Sequence, residues 1–304
     1  MDKPFGKLIR SNLFTFHIGP EKVPFVVNSE AIAKQSPALN ALINRNMIEA
    51  HSKIVDWPDV DEDTFVRFCE FCYRDDYSPP SCAWDISTDE KEEPPQEARA
   101  TSNEEAPLSI YKYFDEPDAE LSPSPFPRKG KNGKKAPSEP QDLLSDSDYS
   151  PPEHLTHSTQ QFKPFSNVCE DQDFTPVLLG HAQLYVIADK YCIQPLKDLV
   201  LYKLYTTLKG FTIFPRRVGD IIALIRFTYD DGNTCGQMKE TDPLRKLVTR
   251  YVVTKMEILA MEAAFLELLQ DGGDFVTAFW KVVWERRTEL LKVQETSAFS
   301  SCWD

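Results

Sequence analysis

Glycine is scarce in this chain, 11 residues in 304, and none of them builds a glycine-rich turn between a strand and a helix. A nucleotide phosphate therefore finds no backbone cradle. No apolar run approaches the ~20 residues that span a bilayer, and the leading MDKPFGKLIR lacks the apolar core of a secretory signal. A soluble, intracellular protein of cytoplasm or nucleus is expected, without a membrane partner. Positive charge is also short: 34 Lys and Arg face 48 Asp and Glu, a net of −14. That balance argues against nucleic acid as a general partner, since such binders cluster basic residues on one face. The seven cysteines are odd in number and follow no framework, as in a reducing compartment. No nucleophile elbow and no zinc-protease helix is present. No catalytic residue, metal ligand or cofactor is assigned, and an enzyme is not expected.

What is present is unevenly spread. Between Pro79 and Pro176 lie 15 of the 23 prolines, with 20 acidic and 9 basic residues, a local charge of −11. Runs such as DEKEEPPQEA and SPSPFPRKGKNGKK cannot bury enough apolar surface to offset the entropy of ordering them. The composition predicts a disordered, acidic, proline-rich insertion over 79–176. About 206 residues remain, enough for a core without staples.

Phe14, Phe16 and Ile18 alternate with Thr15 and His17, the period of a half-buried strand. Val23, Phe25 and Val27 alternate again after the turn Gly19-Pro20-Glu21-Lys22, predicting a hairpin over 12–28 with Pro24 on an edge. Ser29 is placed to cap a helix over 30–35, and Ser36-Pro37 to start a second. Lys53 to Trp57 reads as a strand. Asp61 precedes a helix with Phe65, Phe68, Cys69 and Cys72 on one stripe. After the insertion, GHAQLYVIADKYCIQPL predicts a helix over 181–192 and Pro195 starts another, broken at Gly210. Helices over 218–228, 243–256 (capped by Asp242) and 258–270 follow, and a last one begins at Asp274.

FVVNSEAIAKQSPAL, NMIEAHSKIVDWPDVDEDTFVRFCEFCYRDDY and LYVIADKYCIQPL, together with this order of elements, resemble the BTB/POZ family. FVVNSEAIAKQSPAL is similar to its hairpin-to-helix segment, with Ile32, Ser36 and Leu39 at the matching positions. NMIEAHSKIVDWPDVDEDTFVRFCEFCYRDDY resembles the segment that follows, ending in Tyr73 and Tyr77. LYVIADKYCIQPL is similar to the next helix, with Ala188, Asp189, Lys190, Tyr191 and Leu196 matching. The arrangement looks most like fungal BTB proteins with an acidic insertion and a helical C-terminal extension. The resemblance implies an α+β fold, a small sheet covered by helices, divided as an N-terminal tail (1–10), a first part (11–78), the insertion (79–176), a second part (177–210), a helical extension (211–292) and a tail (293–304). The family often carries histidine and a basic residue after its second strand, and this chain has Asn28-Ser29 instead.

The resemblance also implies a non-enzymatic protein-interaction module. Met47-Ile48-Glu49 is similar to the hydrophobic-x-glutamate pattern of cullin-binding members, which implies a ubiquitin-ligase adaptor whose face to a cullin-type scaffold includes Met47, Glu49, Tyr73 and Tyr77. Met47 equally fits a loop methionine packing on its own domain. The alternative is a homodimer, a self-associating scaffold or transcription-associated regulator without direct DNA contact, since no zinc-finger spacing or basic helix is present. Cys69-x-x-Cys72 has half the ligands of a zinc site, but its place on an apolar stripe reads as core thiols. The basic run Arg128 to Lys135 fits a nuclear-import segment or a solvated charge run, and Ser122, Ser124, Ser145, Ser147 and Ser150 suit kinases.

Overall fold

The alternation at Phe14, Phe16 and Ile18 forms the central strand of a small sheet. In a computed structural model, which describes residues 4–44, 51–85, 143–145, 148–150, 162–234 and 241–301, β1 (Leu13–Ile18) buries these three side chains. On one side, β2 (Val23–Asn28) pairs with it antiparallel, Phe16 opposite Phe25. On the other, β3 (Ile54–Trp57) runs parallel to β1, giving the order β2-β1-β3. Pro24 sits on the edge strand, where a missing N–H removes no interior ladder bond.

Parallel neighbours require a crossover, and this one contains α2 (Ser29–Ala33) and α3 (Pro37–Asn44). Ser36 Oγ accepts from the Leu39 N–H at 3.1 Å and so starts α3, as expected. Ser29 does not cap. It is the first helical residue, Asn28 holds the cap position, and the Asn28 side chain turns to Tyr73 instead. In α4 (Glu62–Arg74), Asp61 Oδ1 accepts from Thr64 N at 2.9 Å, and Phe65, Phe68 and Cys72 are buried along the expected stripe. Asp75, in the left-handed conformation (φ 56°), ends the helix.

The folded body extends further than composition suggests. Two short strands, β4 (Ala83–Trp84) and β5 (Gln172–Asp173), pair antiparallel inside the stretch expected to be disordered. Phe174 is buried and stacks on Phe165, and the Asn167 side chain both donates to and accepts from the Thr212 backbone at 2.7 Å. The acidic residues here do not repel the chain from order, because Arg216 and Arg217 meet Asp85, Asp171 and Asp173. The expected boundaries at 78 and 177 are therefore corrected to the strand pair. Tyr149 also stacks on Tyr205. Residues 86–142, 146–147 and 151–161 of the expected insertion lie outside the described residues.

Beyond the strand pair, α5 (Thr175–Lys190) starts at Thr175 rather than 181, with Pro176 in its first turn where proline is tolerated. It packs against α4 and against α6 (Gln194–Gly210). Phe65 and Phe68 from before the insertion share one hydrophobic cluster with Leu184, Ile187 and Leu199 from after it. The same cluster continues into α7 (Val218–Tyr229), α8 (Pro243–Thr254), α10 (Ala263–Asp271) and α11 (Asp274–Ser301). Asp242 caps α8 as expected, accepting from Leu244 N at 2.8 Å and Arg245 N at 3.2 Å. The single helix expected over 258–270 is two, α9 (Met256–Leu259) and α10, with Glu262 extended between them. The expected tails shrink as well: α11 runs on through Ser301, and α1 (Pro4–Ile9) places Leu8 in the core. The fold is mixed α+β, with small sheets among many helices. Among the described residues no helix is long and apolar enough to cross a membrane.

Candidate partner-binding cleft

Met47 and Glu49 lie outside the described residues, between the end of α3 and β3. The two tyrosines are placed, and they do not share a face. Tyr73 is half-buried, its hydroxyl accepting from Asn28 N at 2.9 Å and donating to Asn28 Oδ1 at 3.1 Å. Tyr77 is 3% exposed, with its hydroxyl 2.7 Å from His181 Nδ1. The left-handed turn at Asp75 ends α4 before Tyr77, so the helical spacing that would have aligned the pair is lost. Tyr77 offers nothing to a partner in this fold, which corrects its expected role.

Tyr77 belongs instead to a buried polar cluster joining the two sides of the insertion. Lys203 Nζ donates to Asp76 Oδ1 and to the Tyr77 carbonyl, both at 2.6 Å, and lies 4.2 Å from the centre of the Tyr77 ring. Burial, then the charges of Lys203 and Arg67, push His181 down to about 3, so its ring is neutral. Its Nε2 has no hydrogen-bond partner. Burial likewise lowers Lys203, opposed by Asp76, and raises Tyr77. Burial also pushes the Cys69 thiol up to about 12 and raises Cys72 well above its ordinary value, which holds both as protonated core thiols. Every one of these groups is fixed by packing, and none lines the large opening in the molecule.

That opening is a cleft of about 1320 Å³. Its floor is the face of α5 that carries Gln183, Val186 and Lys190 over the buried Ile187, continued by Tyr191. One wall is the β3–α4 turn, Asp59 to Asp61 with Thr64. The other is the end of α7 (Phe227, Tyr229), the turn Asp231 to Thr234, and Gly273-Asp274 at the start of α11. The cleft exists only when the piece before the insertion, the helix after it and the C-terminal helices are assembled together. Thr64 Oγ1 reaches Gln183 Oε1 at 3.3 Å across the first junction. Tyr191 stacks on Trp57 at 4.7 Å, tying floor to sheet.

The lining is apolar at the bottom and acidic at the rim. Among the described residues that line it, Asp59, Asp61, Asp189, Asp231 and Asp274 face one basic residue, Lys190. Asp189 has Lys197 Nζ at 2.5 Å and Asp274 has Arg245 Nη1 at 3.1 Å behind it. Asp59 and Asp231 are exposed and form no ion pair among the described residues. Burial, reinforced by Asp59, pushes the Tyr191 hydroxyl up to about 12, so it stays a neutral donor. Among the described residues no group of three His, Cys, Asp or Glu side chains is placed to hold a metal, so these carboxylates are spread along the cleft rather than gathered at a point.

None of the five aspartates is singled out by sequence as a binding residue. Asp61 reads as a helix cap, and it caps α4. Only tertiary folding brings residues 59, 189, 231 and 274 to one opening. Comparisons with protein-family models, with curated proteins and with solved structures find no match for this chain.

Proposed function

We propose that the chain is a non-enzymatic protein-interaction module of the BTB/POZ type, an adaptor that joins a cullin-type scaffold to a second protein. The observation that carries this reading is the sheet order β2-β1-β3, with β3 parallel to β1, covered by α4 and closed by α5 from beyond the insertion. The three resembling segments support the same reading. The scaffold side is the segment with Met47 and Glu49, and the second protein is held on the C-terminal helices.

The test is a pull-down with the cognate cullin. Wild type is expected to recover scaffold, and the Met47→Ala/Glu49→Ala variant to lose it. Equal and negligible recovery by both removes the adaptor reading.

A further inference from the structure

We infer that the acidic cleft is a receptor for an extended peptide segment that carries lysine or arginine side chains between apolar ones. The inference rests on reading the chain as an interaction module and names the chemistry of its second partner.

Charge comes first. Among the described lining residues, five carboxylates against one ammonium leave a negative rim, and the cations behind Asp189 and Asp274 neutralise only those two. Asp59 and Asp231 stand on opposite walls with no cation of their own. Between low-dielectric walls such charges focus a field that raises the local concentration of cations. A negative rim repels nucleic acid, so phosphate backbones are excluded as occupants.

Geometry then separates a peptide from a single ion. A metal requires several ligands at one point, and these carboxylates are distributed over two walls. The cleft also exceeds the ~300–1,000 Å³ common for small-molecule sites. A polymer with several spaced charges satisfies both facts. Finally, Val60, Val186, Ile187, Tyr191 and Phe227 give the cleft an apolar surface that a bare polycation cannot use. A chain alternating cationic and aliphatic or aromatic side chains can meet floor and rim together, with the Tyr191 hydroxyl free to donate to a peptide carbonyl.

The experiment is fluorescence anisotropy on the full chain with a labelled ten-residue peptide in which Lys and Arg alternate with Leu and Tyr. The comparison probes are the same peptide with Glu and Asp at the charged places, and decalysine. The mixed basic peptide is expected to bind saturably, the acidic one not at all, and decalysine at least tenfold more weakly. Asp59→Asn/Asp231→Asn is expected to weaken binding about tenfold, two ion pairs near the upper end for exposed groups. Asp63→Asn/Asp271→Asn makes the same charge change at residues that do not line the cleft and are paired with Arg67 and Arg226, and is expected to leave affinity within twofold. The inference is overturned if no saturable binding occurs up to about 1 mM peptide, if both double variants weaken binding equally, or if decalysine binds as tightly. Scaffold capture is read separately through Met47 and Glu49, so loss of peptide binding with capture intact refutes this inference alone.

Discussion

Replacing Lys203 by methionine should unlatch the two halves of the domain. The side chain is 2% exposed and its ammonium donates 2.6 Å bonds to Asp76 and to the Tyr77 carbonyl, on the far side of the insertion in sequence. Methionine keeps the stem and most of the volume but removes every donor. Asp76 is then a largely enclosed carboxylate without a cation, and the Tyr77 carbonyl an acceptor without a donor. Removing one partner of a buried pair costs about 3–5 kcal/mol. Asp76 retains 17% exposure and can draw in water, which places the expected loss near the lower end, about 3 kcal/mol. For a folded unit of this size that is roughly 6–12 °C in melting temperature. The assay is urea unfolding followed by far-UV circular dichroism and tryptophan fluorescence, with the Asp76→Asn and double variants completing a cycle. Coupling of about 1–3 kcal/mol is expected between the two positions. A Lys203→Met protein within about 0.5 kcal/mol of wild type, the range of neutral surface changes, would refute the latch.

Two further outcomes follow from the same interior. Gly180→Ala in the middle of α5 should destabilise, although alanine in a helix ordinarily gains about 1 kcal/mol: its Cβ would stand 2.6 Å from the Pro80 ring, overpacking that costs about 1–3 kcal/mol. Pro80→Ala should make Gly180→Ala neutral or favourable, as read from urea midpoints. His181 titrates near 3 when folded and near 6.5 when unfolded, so its contribution is complete above about pH 6.5 and is lost as pH falls toward 3. Between pH 7 and pH 4 that amounts to about 3 kcal/mol. His181→Gln should lose that much less stability over the same interval, measured by melts at both pH values, and an unchanged pH slope would contradict the assignment.

Much of this fold is legible locally. The alternation in β1 and β2, the Asp61 and Asp242 caps and the apolar stripe of α4 are short-range signals, and each forms the element it predicts. The margins of the insertion were illegible for a physical reason. Asp85, Asp171 and Asp173 count as solvating charge in any composition window, and only the fold supplies Arg216 and Arg217 to neutralise them. Tyr73 and Tyr77 failed as a pair because one left-handed residue, Asp75, intervenes, and nothing in an i, i+4 pattern forecasts it. The cleft was beyond reach altogether, since its aspartates come from four separate elements.

The described residues of 1–85 and of the chain from 139 onward fold as one unit around one core. The most direct measurement is to place a protease site within 86–138, cleave the folded protein, and follow the products by size-exclusion chromatography and thermal melting. The account predicts that the two fragments stay together as a single particle with one melting transition and separate only in denaturant. Fragments that part in buffer, or that melt independently, would contradict it.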